Sequence, residues 1–227
     1  MIASPTALEK ARQDPESMKA RILAAARRVF GQYGYHGTTT RMIAKEVGID
    51  ISTLYYHWGE KGDLYEAVIF DMAEDLRQVL RRVEKVIRGR SLAERLAISM
   101  DMTTDFLFER QEISNLVLFR YFGKTRQEMK WDVKVPEFII DIACSMGLQE
   151  PDGGVSTVVK MRILAMMNSI HNFISGEEFF RSTLNLSREE YIPLVKQTLK
   201  FLLIPAFTGK TPAALGLAGP PLKFGCA

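Results

Sequence analysis

One short stretch of the chain, Ser52-Thr53-Leu54-Tyr55-Tyr56, consists of hydroxyl and aromatic side chains apart from one leucine. If this stretch is helical and Leu54 faces inward, Ser52 and Tyr56 point directly outward. Thr53 and Tyr55 then flank them, and no carboxylate shares the face. Hydroxyl groups can donate hydrogen bonds to phosphates, and aromatic rings can rest on sugars and thymine methyl groups. The chemistry that suits this surface is therefore contact with DNA.

Two short helices around a tight turn would hold these side chains in place. Three consecutive threonines ending at Thr40 supply a hydroxyl to cap the first helix. Gly48 is expected to end that helix in the left-handed conformation that turns the chain. Asp50 is expected to cap the second helix, because a carboxylate suits the free N–H groups there. This is the helix-turn-helix arrangement, whose second helix enters the major groove.

The run from residue 39 to residue 58, followed by Lys61-Gly62-Asp63-Leu64, resembles the DNA-binding segment of the TetR family of bacterial transcriptional regulators. The upstream residues 30–39 are similar to the exit from the first helix of that family. The resemblance covers about residues 17 to 70, and beyond them only the architecture carries over. It implies a ligand-responsive regulator of transcription, expected to be a repressor that a small effector releases from its operator.

The resemblance also assigns contacts with double-stranded DNA to particular residues. Arg41, at the start of the first helix of the pair, would reach a base edge or a phosphate. The side chains that would face bases are those of Ile51, Ser52, Thr53 and Tyr56. The side chains that would hold the sugar-phosphate backbone are those of Thr40, Tyr55, His57 and Lys61. Asp50, Ile51 and Ser52 differ from the residues that the family often has there, so Ile51 could either read a thymine methyl or pack inward.

Charge is distributed unevenly along the 227 residues, whose net charge is only +3. Residues 1–62 hold nine Lys and Arg against six Asp and Glu, whereas the remaining residues hold 21 of each. This distribution agrees with a small phosphate-binding face on a neutral body, and it argues against a protein that coats nucleic acid. With 47% hydrophobic residues, the chain can bury a core and form one or two domains.

Several classes of protein lack support in the sequence. Cys144 and Cys226 are the only cysteines, so no disulfide or metal framework follows. The first twenty residues lack the apolar core of a signal peptide, and no apolar run reaches the roughly 20 residues that span a membrane. Gly-rich phosphate loops, nucleophile elbows and metal motifs are missing. We therefore predict a cytoplasmic protein without membrane contact, cofactor or enzymatic activity; turnover of a bound compound would instead indicate an enzyme with a helical substrate pocket.

The rest of the chain keeps helical spacing without a convincing strand pattern, which predicts an all-α fold. A helix from Ser17 to Tyr33 completes the head, with Arg27 and Arg28 on its solvent side, and a helix from Lys61 to Ile87 joins head and body. Further helices are predicted at 91–109, 112–122, 125–146 with an interruption at Pro136, 155–174 and 187–207. The predicted segments are a flexible N-terminal arm at 1–16, a helix-turn-helix DNA-binding domain at 17–62, a helical ligand-binding and dimerisation domain at 63–208, and a flexible tail at 209–227.

The last two predicted helices carry apolar stripes. One stripe comprises Ile192, Val195, Leu199, Leu202 and Leu203, and the other comprises Val155, Val158, Val159, Met166 and Ile170. Both stripes could belong to the core of a single chain. A helix-turn-helix reader, however, needs two copies to address two half-sites about 34 Å apart. Since the resemblance implies that these helices pair with their symmetry mates in a four-helix bundle, we expect a homodimer.

Methionine and aromatic residues are frequent in the central helices. At helical spacing such residues belong to a core far more often than to a pocket. The resemblance nevertheless implies a ligand cavity among these helices, which would hold a largely apolar effector with few polar groups. The candidate ligand-binding residues are Phe106, Arg120, Tyr121, Met167, Asn168 and His171. The alternative is a DNA-binding regulator or activator without a ligand, controlled by protein partners.

Overall fold

The computed structural model describes residues 6–122 and 135–217 of the chain. Regular structure in these two ranges is helical, with no strand, which confirms the predicted all-α class. The helices are α1 Ala7–Gln13, α2 Met18–Gly37, α3 Thr40–Val47, α4 Ile51–Trp58, α5 Lys61–Ile87, α6 Leu92–Glu109, α7 Gln111–Phe122, α8 Val135–Met146, α9 Thr157–Ser175, α10 Glu177–Leu184 and α11 Arg188–Thr208. None of these helices is long and apolar enough to cross a membrane.

The described residues form two compact units. The head unit contains residues 6–77 and 111–122, and the body unit contains residues 78–110 and 135–217. Helix α5 contributes residues to both units, and the predicted domain boundary after residue 62 falls in its first turn. Helix α7 belongs to the head unit although 33 residues separate it from the end of the first segment.

The core of the head unit is built from apolar faces of α2, α3, α4 and α5. Ile22, Ile43, Leu54 and Leu64 are all fully buried, as helical periodicity predicted for a helix-turn-helix head. Helix α2 begins after its cap Ser17, whose hydroxyl accepts from the N–H of Ala20. It extends to residue 37 rather than 33. The backbone leaves the helical region at residue 34, which makes a kink, and a short helical stretch then follows.

The N-terminal segment contains a helix where a flexible arm was expected. Thr6 and Glu9 form a capping box: the backbone N–H of each lies 2.6–3.2 Å from a side-chain oxygen of the other. Ala11 is buried, and Arg12 donates to a carboxylate oxygen of Asp71 on α5 at 2.8 Å. The prediction of a mobile arm is therefore wrong for residues 7–13, which are packed against the head unit.

Arg27 is buried in the head unit, although the sequence analysis placed it with Arg28 on the solvent side of its helix. Its guanidinium lies 2.6 Å from Asp71 and 2.7 Å from Asp75 on α5. It also lies 3.2 Å from Glu112 on α7. Burial alone would lower the pKa of Arg27, but the hydrogen bonds and charges of Asp75 and Asp71 raise it above its ordinary value. The prediction of a solvated Arg27 is thus wrong.

We call Arg12, Arg27, Asp71, Asp75 and Glu112 the charged cluster. These residues come from α1, α2, α5 and α7, so the cluster ties together four helices of the head unit. Beside it, α2 and α7 approach so closely that a Cβ atom at position 31 would lie 2.5 Å from the Cβ of Glu112. A glycine is required at that position for the two helices to touch.

Polar contacts at helix ends and between pairs of helices stabilise the body unit. Capping boxes begin α6 at Ser91 and α11 at Ser187. Helix α10 was absent from the predicted elements; its buried Glu177 accepts from Arg188 at 2.9 Å. The Tyr191 hydroxyl donates to the carbonyl oxygen of Phe173 at 2.8 Å, which connects α11 to α9.

Two predicted elements fall wholly or partly beyond the described residues. Residues 125–134 of the predicted helix at 125–146 lie in the gap, and its remainder is α8. The predicted flexible tail contains a short 3-10 turn at Ala213–Leu215, and its last ten residues lie outside the described range.

Candidate nucleic-acid interface

The turn between α3 and α4 is made by Gly48. Its φ of 77° and ψ of 40° are left-handed, as predicted from the sequence. Its N–H donates to the carbonyl oxygen of Ala44 at 2.9 Å, and the N–H of Ile49 donates to the same oxygen at 3.0 Å. These two bonds satisfy a carbonyl oxygen that the end of α3 would otherwise leave without a partner.

The helix caps in the motif agree with the prediction at α3 and differ from it at α4. Thr39, the second of the three threonines, caps α3, because its hydroxyl accepts from the N–H of Met42 at 3.2 Å. Asp50 occupies the N-cap position of α4, but its side chain makes no capping hydrogen bond. Thr40 instead begins α3, where its hydroxyl lies 3.4 Å from that of Tyr55. Arg41 follows on the exposed side of the first turn.

Helix α4 presents the outward face that the sequence analysis predicted. Leu54 and Trp58 are buried, whereas Ser52, Tyr55 and Tyr56 are exposed. The side chain of Tyr56 has the largest exposed fraction among the exposed large apolar and aromatic residues, 84%. Ile51 and Thr53 are half-buried, so both alternatives for Ile51 stay open. A face of hydroxyls and rings without a carboxylate can approach phosphates and base edges without charge repulsion.

The first turns of α2 hold the C-terminal ends of both motif helices. The Lys19 ammonium donates to the carbonyl oxygen of His57 at 2.7 Å, and the Trp58 indole N–H donates back to the carbonyl oxygen of Lys19 at 3.2 Å. Arg21 donates to the carbonyl oxygen of Val47, the last residue of α3, at 3.3 Å. Cations at these ends also oppose the negative end of each helix dipole. Sequence reasoning missed both roles because the partner carbonyls lie 26 and 38 residues away.

His57 lies at the inner edge of the α4 face. Burial and then the charge of Lys19 lower the pKa of the His57 imidazole below its ordinary value. Its Nδ1 atom is buried and has no hydrogen-bond partner among the described residues. A backbone contact by His57 would therefore be made by a neutral ring near neutral pH, as a hydrogen bond rather than an ion pair.

Lys61 forms hydrogen bonds with the backbone at the C-terminal end of α2. Its ammonium donates to the carbonyl oxygens of Tyr35 and Thr38, both at 3.0 Å, and lies 4.3 Å from the centroid of the Tyr35 ring. An ammonium has three N–H donors, so these bonds leave one for a phosphate. The predicted phosphate contact stays a prediction, and the structure adds a second role that the sequence did not indicate.

The six candidate ligand-binding residues are divided between the two units. Arg120 and Tyr121 lie on α7 of the head unit, whereas the other four lie on α6 and α9 of the body unit. On α9, Asn168 is exposed and His171 is buried, so they face different surroundings. A pocket of about 760 Å³ in the body unit contains none of the six. Its lining comprises Asp101, Asp105, Ile192, Pro193, Lys196, Gln197, Lys200, Gly216 and Leu217.

The burial of His171 predicts a dependence of stability on pH. Burial lowers the pKa of His171 from 6.5 to about 4. Because the unfolded chain binds this proton more readily, the stabilisation from neutral His171 is complete above pH 6.5 and is lost as the pH falls towards 4. Between pH 7 and 5 we expect the free energy of unfolding, measured in urea, to fall by about 2 kcal/mol more than in a His171→Gln variant. Equal losses in the two proteins would contradict this.

Residues 22–68 match the family described as bacterial regulatory proteins, tetR family. Over 111 residues the chain is 28% identical to the HTH-type transcriptional repressor AcnR of Corynebacterium glutamicum, covering 44% of this chain and 59% of the relative. Over 82 residues it is 30% identical to the HTH-type transcriptional regulator UidR of Escherichia coli, covering 36% of this chain and 40% of the relative. The chain thus matches about half the length of these curated relatives.

The similarity to solved structures extends beyond the head unit. A TetR-like transcriptional regulator from Rhodococcus sp. RHA1 has a TM-score of 0.58 at 18% identity, covering 92% of this chain and 100% of that one. AibR in complex with isovaleryl coenzyme A and operator DNA has a TM-score of 0.57 at 18% identity, covering 81% and 96%. FadR from Bacillus subtilis in complex with stearoyl-CoA has a TM-score of 0.54 at 14% identity, covering 81% and 96%.

The helix-turn-helix geometry of α3 and α4 lies inside the matched residues 22–68, and the remaining helices follow the fold of the solved TetR-like regulators. At these identities the solved structures establish the fold alone, whereas the match in the head unit establishes kinship. Residues 22–68 thus form a DNA-binding segment of the tetR family of bacterial regulatory proteins, and the described helices share the fold of solved TetR-like regulators.

Proposed function

We propose that the protein is a homodimeric transcriptional repressor that acts in the cytoplasm and binds double-stranded operator DNA through α4. A small, largely apolar effector would release it from that DNA. The observation that carries the proposal is the outward face of α4, where Tyr56 is 84% exposed beside Ser52 and Tyr55 and no carboxylate is present. In this proposal residues 17–62 read the operator, and residues 63–208 hold the effector and form the dimer.

Exposed apolar side chains on α9 and α11 support the homodimer. Val158 and Met161 on α9 are 59% and 62% exposed, and Leu202 on α11 is 60% exposed. The apolar stripes identified in the sequence therefore combine two faces: Val195 and Leu199 point into the core, whereas Val158 and Leu202 point outward. Met161, which was not part of either predicted stripe, adds to the exposed apolar surface of α9. Burying large outward side chains against a second copy would remove them from water. Two copies would then offer two α4 helices to two half-sites.

Ligands in two structural neighbours guide the choice of effector. FadR from Bacillus subtilis was solved in complex with stearoyl-CoA, and AibR was solved in complex with isovaleryl coenzyme A and operator DNA. We therefore take acyl-CoA thioesters as the first effector class to test for this chain; their acyl group has the predicted apolar character, whereas their coenzyme A part is large and anionic. An effector that binds one conformation of the body better than another would shift the two heads, by no more than its difference in affinity.

The role of Tyr56 gives a direct test of the proposed function. A duplex selected from a random library would serve as the operator, with binding measured by fluorescence anisotropy at moderate salt. Tyr56→Ala is expected to reduce the preference for the selected duplex over random competitor about 10- to 100-fold, as loss of one base contact would. Tyr33→Ala, which removes a 46% exposed tyrosine from α2, is the matched control and should leave the preference unchanged.

The outcomes of this test separate two errors. If the wild-type dimer prefers no duplex over random competitor, the proposed function is wrong. If Tyr56→Ala weakens binding to all sequences alike, the protein still binds DNA but Tyr56 contacts the backbone rather than bases.

A second experiment tests the effector. Isovaleryl-CoA and stearoyl-CoA, with free coenzyme A as the control, would be added to the purified protein and to its complex with the selected duplex. The proposal expects a rise in Tm and release of the duplex with a thioester but not with coenzyme A, since a ligand that binds the folded protein stabilises it. Release by no compound would favour a regulator that works without a ligand.

A further inference from the structure

We propose that Lys10 on α1 and Lys19 on α2 form a second surface for the DNA backbone, beside the helix that enters the major groove. Each ammonium would neutralise a phosphate that flanks the bases read by α4. This inference rests on the proposed function, because it names an additional part of the same DNA interface. Neither residue is among the DNA contacts predicted from the sequence.

The position of Lys10 is fixed by the folding of α1. The capping box at Thr6 and Glu9 starts this helix, and Ala11 buries its inner side. The guanidinium of Arg12 lies within 2.7–3.1 Å of carboxylates of Asp71 and Asp75. Because the neighbours of Lys10 are held by packing and ion pairs, its exposed side chain projects from a rigid base rather than from a mobile arm.

Lys19 is hydrogen-bonded directly to α4. Its ammonium lies 2.7 Å from the carbonyl oxygen of His57, in the last turn of α4. Only one of its three donors is used in this bond, since no other hydrogen bond of the ammonium occurs within residues 6–122 and 135–217. Any movement of α4 into a groove would therefore carry this cation with it.

Lys10 and Lys19 line the same cleft. Desolvation and then the charge of Lys10 lower the pKa of Lys19, as expected for like charges at short range. Neither lysine forms an ion pair with any carboxylate that the structure describes. Asp14 lies in the same cleft, where its carboxylate accepts from the backbone N–H of Glu16 at 3.2 Å. Two cations against one acid leave the cleft with an excess of positive charge.

The cleft lies beside the exposed face of α4, because His57 of that helix is part of its lining. It has a volume of about 380 Å³ and is lined by Lys10, Gln13, Asp14, Ser17, Met18, Lys19 and His57. His57 is the neighbour of Tyr56, the most exposed ring on α4. A duplex that brought a base to Tyr56 would bring its sugar-phosphate backbone alongside this cleft. DNA phosphates are the partner that fits, because both the excess charge and the continuity with α4 favour them.

The dependence of binding on salt tests the proposal. Each phosphate that a protein neutralises adds about 0.9 to the slope of the logarithm of affinity against the logarithm of salt concentration. Lys10→Ala should therefore flatten the slope of the dimer by about 1.8, and it should weaken binding to selected and random duplexes alike. At 0.1 M salt this corresponds to a loss of roughly 10-fold for each protomer. Lys10→Glu should have a larger effect of the same kind.

Lys10 is the informative position because its exposed side chain makes no hydrogen bond to any residue that the structure describes, and because alanine favours the helix. Lys19→Ala would also remove the bond to α4, so it serves only as a second variant whose Tm must match that of the wild type. Lys210→Ala is the matched control, since it removes an exposed lysine from the body unit. It should leave the slope unchanged.

The failures of the two proposals can be told apart. A wild-type slope near zero, or no binding to any duplex, would remove the proposed function itself. A normal wild-type slope that is unchanged in Lys10→Ala and Lys10→Glu would overturn only the second surface. A flattened slope in Lys10→Ala, with that of Lys210→Ala unchanged, supports it.

Discussion

Replacing Arg27 with alanine is expected to lower the free energy of unfolding by about 3–5 kcal/mol. Only 10% of the Arg27 side chain is exposed, and it lies within 3.2 Å of three carboxylates. Its removal leaves the buried Asp71 and the half-buried Asp75 and Glu112 with Arg12 as the remaining cation of the cluster, and poorly compensated charge away from water is costly. Urea unfolding of the purified protein measures the change.

Arg28 provides the matched control one position further along the same helix. Its side chain is 60% exposed and pairs with Glu46 at 3.1 Å on the surface. Arg28→Ala should therefore cost less than about 1 kcal/mol. The double variant Arg27→Met with Asp71→Asn removes the charge of Asp71 together with that of Arg27. It should recover part of the lost free energy of unfolding, because fewer charges are left without partners. Similar losses for Arg27→Ala and Arg28→Ala would show that the charged cluster does not stabilise the head unit.

Replacing Leu202 with arginine is expected to separate the proposed dimer and to reduce affinity for the selected duplex by about 10³-fold or more. Leu202 is 60% exposed on α11, so arginine at this position fits an isolated chain without strain. In a dimer the same side chain would place a charge in an apolar interface, where an unpaired charge is strongly disfavoured. Sedimentation gives the oligomeric state, and anisotropy gives the affinity.

Val86→Arg is the control for the dimer variant. Val86 is another exposed aliphatic residue of the body unit, 47% exposed, but it lies on α5 rather than on α9 or α11. It should leave both the oligomeric state and the affinity unchanged. A Leu202→Arg protein that remains dimeric would exclude this face of α11 from the interface, and Met161→Arg would then test α9 separately.

The parts of the head that the sequence predicted correctly depend on local signals. Gly48 adopts the left-handed turn, α5 begins at Lys61, and Leu54 is buried while Tyr56 is exposed. Each of these features follows from residues within one or two helical turns of each other. The orientation of the proposed reading face could therefore be predicted from the sequence, whereas its contacts with DNA stay a prediction.

The features that the sequence missed depend on partners far along the chain. Arg27 resembles Arg28 in any local window, and only Asp71 and Glu112, 44 and 85 residues away, make it a core residue. Lys19 acquires its role from a carbonyl oxygen 38 residues away. Asp50 shows the opposite case: a residue with a strong local preference for capping makes no capping bond. The role of such residues is set by tertiary packing, which the hydrophobic periodicity of the sequence does not reveal.

Helix α7 gives the head unit an unusual dependence on distant sequence. It packs on α2 where residue 31 lacks a side chain, and it supplies Glu112 to the charged cluster. A fragment that ended at residue 77 would expose the α2 surface that α7 covers and would leave Arg27 with fewer acids. The minimal autonomous piece for studying operator recognition must therefore be assembled from two separate stretches of polypeptide, or be kept whole.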